Sequence, residues 1–159
     1  MSSRTRSNSY VDSLRRSAVI VLALLILSNV QSAGADQQED AQAIQKVILD
    51  HYIAPLYQQG DPELIRGGFH EGFNMYVLYE DNFTTRTREE WIALIVSNRE
   101  KNAAPRDYGW DFNMIDVSGQ TAVVKLTVLQ DGRLKYIDYL TLYKFDEGWR
   151  VITKQFSMY

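Results

Sequence analysis

Beyond Trp110 the chain divides into four strand-like runs, 110–117, 120–130, 133–145 and 148–156. Short turns separate them: Ser118-Gly119, Asp131-Gly132 and Asp146-Glu147-Gly148. Asp-Gly supplies the positive φ angles that a tight hairpin needs, so consecutive runs should pair antiparallel. A meander of this kind commits the C-terminal part of the chain to sheet. A sheet with an apolar face must bury it against another layer.

The preceding residues offer that layer. Residues 36–59 predict a helix: Asp36, Glu39 and Asp40 suit its positive N-terminus, and Ile44, Val47, Ile48, His51 and Tyr52 recur at three- and four-residue spacing. Pro55 should kink or end it. A second, short helix starts with Asp61 as N-cap and Pro62 at the first helical position, and Gly67-Gly68 can stop it. Residues 72–79 alternate in polarity as a strand does, with Phe73, Met75, Val77 and Tyr79 on one face. Thr87 and Glu90 form a capping box ahead of Trp91, Ile92, Leu94 and Ile95, which predicts a third helix to about Arg99. Asn102 to Gly109, with Pro105, reads as a loop. The expected order is helix, helix, strand, helix and a four-strand meander, an α+β domain without repeats or linkers.

The first 35 residues read differently. Arg4, Arg6, Arg15 and Arg16 precede the apolar run Ala18–Leu27, and a polar stretch ends in Ala33-Gly34-Ala35. This is the pattern of a signal peptide cleaved after Ala35, leaving residues 36–159 as one exported domain, periplasmic or secreted. Ten apolar residues are too few to span the roughly 30 Å hydrocarbon core of a bilayer. No cysteine follows them to carry a lipid, and with no cysteine anywhere the core alone must stabilise the domain. The leader holds four arginines and Asp12. Subtracting them from totals of 17 basic and 20 acidic residues leaves 13 and 19, a net charge of −6. That balance argues against nucleic acid or an anionic membrane surface as partner, and favours a neutral or cationic ligand over an anionic one.

Run 133–145 is apolar on both faces. Leu134, Tyr136, Asp138, Leu140 and Leu142 alternate with Ile137, Tyr139, Thr141, Tyr143 and Phe145. Helices can cover only one face of a small curved sheet, so a second subunit is the expected cover for the other, making a homodimer.

The ordered set Tyr52, Gly60-Asp61, Phe69-His70, Trp91, Ile115-Asp116-Val117, Gly119, Ala122, Tyr136 to Leu142, Gly148-Trp149-Arg150-Val151, Lys154 and Phe156 resembles the family called "putative lumazine-binding". That family lies within the nuclear transport factor 2-like superfamily, with ketosteroid isomerase and the SnoaL-like cyclases. The resemblance implies a cone-shaped, curved antiparallel or mixed sheet wrapped around N-terminal helices. It also implies a cavity, often in a dimer.

Several residues are candidates for a site. Asp138 is a carboxylate on an apolar stripe, costly unless paired or kept neutral. It reads either as a pocket acid or as one half of an ion pair with Lys125 or Lys154. His70 falls where this fold has its cavity mouth and reads as an acid, base or ligand contact, or as a loop-fixing histidine. His51 reads as a satisfied core histidine. Tyr57, Tyr76 and Trp110 suit either a pocket wall or plain core. With two histidines, no cysteine and no phosphate loop, neither a metal nor a nucleotide cofactor is indicated. The carboxylate base of a ketosteroid isomerase would fall near Tyr76-Val77-Leu78, where none exists, and Glu80 comes too late.

Three readings result. The first is an exported, non-catalytic domain that binds a small molecule through His70, Asp138, Tyr76 and Trp110. The second is an isomerase, dehydratase or cyclase using His70 and Asp138 as acid and base. The third is a structural domain whose core is filled by Met75, Met114 and Trp149.

Overall fold

The computed structural model describes residues 36–58, 61–101 and 106–159. The expected signal peptide lies outside them, as does the part of the expected loop that contains Pro105. Asp40–Tyr159 form one compact unit.

Helix α1 is α-helical over 36–48, widens into a π turn at Leu49–Ile53 and closes with the α turn Ala54–Tyr57. Pro55 accounts for the widening. It has no N–H to donate, and its ring would collide with a carbonyl of an unbroken α-helix. The π turn instead lets the Ala54 N–H donate five residues back, to Leu49 O. So the proline reshapes the helix before its own position. Helix α2 is a 3-10 turn, Pro62–Leu64, continued by Ile65–Gly68, and the Asp61 carboxylate accepts from the Glu63 N–H at 2.9 Å as a cap.

Gly67 and Gly68 are needed for close packing as well as for stopping the helix. A Cβ on Gly68 would stand 2.3 Å from His51 Cβ, and one on Gly67 2.6 Å from His51 Cε1. Ring nitrogen Nδ1 of His51 meets Leu64 O at 2.7 Å, so it carries the proton and donates. His51 is thus satisfied, half-buried rather than in the core, and it ties α1 to α2.

Strand β1 (Phe69–Tyr79) comes directly after, then β2 (Asn82–Thr87) and helix α3 (Arg88–Lys101). The hairpin partner β2 is an addition to the expected order. Its Asn-Phe-Thr-Thr-Arg-Thr is polar and mostly exposed, as an edge strand can be, so no apolar alternation marks it. The capping box forms as expected: the Thr87 N–H donates to Glu90 Oε2 at 2.8 Å and the Glu90 N–H returns to Thr87 Oγ1 at 3.4 Å.

The meander is β3 (Tyr108–Ser118), β4 (Thr121–Gln130), β5 (Arg133–Phe145) and β6 (Gly148–Met158). Asp131 and Gly132 both have positive φ, 52° and 74°, as the tight hairpin requires. One six-stranded sheet results, in the order β2-β1-β6-β5-β4-β3, antiparallel except where β1 lies parallel to β6. It is a mixed, open sheet packed on helices, an α+β fold.

The inner face of the sheet meets α1 and α3. Ile44, Ile48 and Tyr52 of α1, Trp91 and Ile92 of α3, and Val124, Leu126, Leu140, Leu142 and Val151 of the sheet are buried together. Each fully buried aliphatic side chain contributes about 1.5–3 kcal/mol. Leu134 corrects the expected face of β5. An irregularity at Lys135 pairs Leu134 with Leu129 while Tyr136 pairs with Val128, so Leu134 stands on the outer face, 39% exposed.

Candidate functional site

A cavity of about 900 Å³ opens between the end of α1, α3 and the adjoining ends of β1, β3, β5 and β6. Leu56, Met75, Val77, Trp91, Ile95 and Phe156 give it apolar walls. Tyr52, Tyr57, Tyr108 and Tyr136 bring hydroxyls, and Lys154 an ammonium.

The polar group of the wall is built from three elements. The π turn in α1 brings Tyr57 against Tyr52, five residues earlier, with ring centroids 5.7 Å apart and hydroxyl oxygens 3.2 Å apart. The Tyr52 hydroxyl donates to Asp138 Oδ2 at 2.5 Å, and Lys154 Nζ donates to Asp138 Oδ1 at 2.8 Å. Asp138, in the middle of β5, is fully buried, and Lys154 is 5% exposed. Its ammonium also lies 4.1 Å from the Phe156 ring centroid. Lys154 faces inward because Ile152 is an extra residue in β6: Thr141 pairs with Thr153, whereas Leu142 pairs with Val151. Such a bulge re-aims every side chain beyond it.

Charges follow this geometry. Burial pushes both Tyr52 and Tyr57 well above the ordinary tyrosine pKa, and the nearby Asp138 adds to each rise. Burial lowers Lys154, and Asp138 opposes that. Tyr136 is raised, first by burial and then by Tyr108 and Asp138. A hydroxyl has one proton. Since Tyr52 gives its own to Asp138, Tyr57 must donate to Tyr52, and Tyr57 offers the cavity an acceptor oxygen. Lys154 keeps further N–H donors. The network of Tyr52, Tyr57, Asp138 and Lys154 therefore holds an ion pair and two neutral phenols.

Of the four residues singled out in the sequence, none lines this cavity. Asp138 stands directly behind it, held by Tyr52 and Lys154, which do line it. His70 is on the outer face of β1. Its ring stacks on Phe145 at 4.8 Å and 6°, and Nδ1 accepts from the Gly72 N–H at 3.0 Å. Tyr76 is also outward, stacked on Phe83 of β2 at 6.1 Å. Trp110 packs half-buried against the core. So His70 and Asp138 are not brought together, which corrects the expected acid–base pairing. Met75 reaches the cavity, but Met114 is 41% exposed on another part of the sheet and does not fill it. Glu80, too late for the isomerase position, does line the cavity from the β1–β2 turn. Among the described residues no cluster of His, Cys, Asp and Glu could hold a metal.

Tyr52, Tyr57 and Lys154 are the additions from structure. The sequence marks Tyr57 as a wall or core residue and Lys154 as one of two partners for Asp138. Nothing in the sequence places Tyr52 at a site, beyond its part in the family resemblance.

A search of curated proteins found no match. Among solved structures, an NTF-2 like protein of unknown function from Silicibacter pomeroyi superposes with a TM-score of 0.63 at 19% identity, over 77% of this chain and 98% of that one. An NTF2-like protein with a cystatin-like fold from Novosphingobium aromaticivorans gives 0.63 at 22%, over 80% and 87%. A protein from the same organism, titled a putative aromatic ring hydroxylase, gives 0.57 at 15%, over 76% and 89%. These identities establish the fold alone. The family model described as "Putative lumazine-binding" matches residues 39–157, almost the whole described unit. The fold is that of nuclear transport factor 2-like proteins, and the chain belongs to the putative lumazine-binding family.

Proposed function

We propose that the domain is an exported, non-catalytic binder of a small organic molecule, which it holds in the cavity between the helices and the sheet. The carrying observation is the cavity itself: about 900 Å³, walled by aromatic and aliphatic side chains, with a few convergent polar groups supplied by Tyr57 and Lys154. Ligand sites have this size and this balance of apolar wall and sparse polar contact. The family's description, a small-molecule one, supports the same reading. Residues 1–35 supply the export signal, and the outer face of the sheet supplies the surface for a homodimer.

The non-catalytic part rests on the protons. General acid–base chemistry wants a group that exchanges its proton near the working pH. Tyr52 and Tyr57 hold theirs far above neutrality, Lys154 is paired, and His70 faces away from the cavity.

A thermal-shift screen of the purified protein against pterins, flavins, steroids and small aromatics tests the reading. A ligand at a hundred times its Kd adds about 2.7 kcal/mol, roughly 5–10 °C for a domain of this size. The shift should vanish in Val77→Trp, which fills the cavity from β1. A shift that survives this substitution places binding elsewhere and sinks the proposal.

A further inference from the structure

The cavity's charge runs against that of the domain around it. Among the described residues, four basic side chains line it, Arg86, Arg99, Arg106 and Lys154, and one acidic side chain, Glu80. The domain as a whole has 13 basic and 19 acidic residues. Its acids are elsewhere: Asp40 and Glu89, for example, are bound to Lys144 and Arg66 outside the cavity. Lys154 is balanced by Asp138, so the charge a ligand can use is that of Arg86 and Arg106.

Both are placed to use it. Arg86 pairs across the β1–β2 ladder with Met75, whose side chain is in the cavity wall, so Arg86 projects to the same side. It is half-buried. Arg106 stands at the rim just before β3, where its Nη1 makes one long contact of 3.4 Å to Gln130 Oε1. Arg99, at the end of α3, has its guanidinium oriented by the Pro55 carbonyl. A guanidinium offers a planar fork of donors that fits a carboxylate with two parallel hydrogen bonds, and apolar walls keep such a contact strong. A cleft lined by one sign of charge also concentrates ligands of the opposite sign.

We infer that the ligand is an organic anion: an aromatic molecule bearing a carboxylate, its ring system against Trp91, Val77 and Phe156 and its charge met by Arg86 and Arg106. This deepens the proposed binding function and rests on it. It also reverses what the net charge of −6 implied. Bulk charge averages over a surface, whereas a ligand responds to the few groups that face it.

Three probes of one shape separate the possibilities: 2-naphthoate, 2-naphthamide and 2-naphthylmethylammonium, titrated calorimetrically into the purified protein. The naphthoate should bind about tenfold more tightly than the amide, the difference one good charge-assisted contact makes. The ammonium should bind weakest. Arg86→Gln combined with Arg106→Gln should erase most of the naphthoate's advantage over the amide. Glu80→Gln should raise naphthoate affinity, a gain that no folding defect can produce. Amide or ammonium binding as tightly as the naphthoate overturns the anion while leaving the cavity a binding site. Failure of all three to bind overturns the aromatic anion, and the thermal-shift screen then decides separately on the cavity as a binding site.

Discussion

Asp138 is held from both sides, by a phenol and an ammonium, and is fully buried. Removing a partner from a buried ion pair leaves the other charge uncompensated, which is worse than having neither. Asp138→Asn should therefore destabilise the fold by about 3–5 kcal/mol in urea unfolding. The double change Asp138→Leu with Lys154→Met should cost clearly less. If the double variant is the less stable of the two, the pair is not what makes the position sensitive. The same network fixes an alkaline limit. Unfolded tyrosines release their protons near pH 10, whereas native Tyr52 and Tyr57 retain theirs. The native state then binds more protons, so stability falls as pH rises through that range, by about 1.4 kcal/mol per pH unit for each such tyrosine. Lys154 acts with the opposite sign. Its lowered native pKa makes stability rise with pH, but only up to the unfolded lysine value of 10.5. Above it the tyrosines alone remain. Guanidinium titrations at stepped pH should show this fall, and Tyr52→Phe should make it shallower. The sequence showed Asp138 as a carboxylate on an apolar stripe, either a pocket acid or the partner of a neighbouring-strand lysine such as Lys125 or Lys154. It could not choose. Lys125 pairs with outward Tyr139, and only the extra residue Ile152 turns Lys154 inward.

Elements were legible where local chemistry fixes them. The Thr87 capping box, the Asp61 cap and the Asp131-Gly132 turn depend on neighbours in sequence, so each formed where expected. Bulges and edge strands depend on what lies across the ladder. That is why Leu134 changes face and why polar β2 left no mark. The crossing of α1 and α2 is a third case, since Gly67 and Gly68 read as a helix stop yet also make room for His51. The two should respond differently. The obstacle to Gly68→Ala is His51 Cβ, which cannot move without α1 itself. Gly68→Ala should cost about 1–3 kcal/mol, the usual penalty of overpacking, and His51→Ala should not relieve it. The obstacle to Gly67→Ala is the far end of the imidazole. In a His51→Ala background, Gly67→Ala should be neutral or stabilising, since alanine favours helix over glycine. Chemical denaturation of the four variants measures the contrast, and equal costs for both glycines in that background would remove the packing explanation.

For the whole molecule, the α+β class and the sheet were readable because they sum many local signals. The cavity was not. Its walls come from every element except α2 and β4, and whether side chains fill or leave such a space depends on their fit in three dimensions. Tyr76 and Trp110 were chosen by residue type and His70 by its place at the expected cavity mouth, and neither says which way a strand residue points. The outer face raises a question at the same scale. Tyr139, Tyr143 and Phe145 of β5 stand 37%, 49% and 37% exposed there, with Leu134 near the β4–β5 turn at 39%. A strand that presents aromatics on its solvent side is suited to meet another surface, because aromatic residues are enriched in interfaces. Mutual contact between two such faces buries them by a twofold axis, the commonest arrangement of a homo-oligomer. The purified protein should therefore sediment at about twice its chain mass, and its melting temperature should rise with protein concentration, as it must when association stabilises the fold. Tyr139→Glu with Tyr143→Glu places like charges on both faces and should yield monomers that melt independently of concentration. Both side chains are on the face away from the cavity, so ligand affinity should persist in the monomer. Monomeric wild-type protein with a concentration-independent melting temperature would mean that these aromatics are simply solvent-exposed.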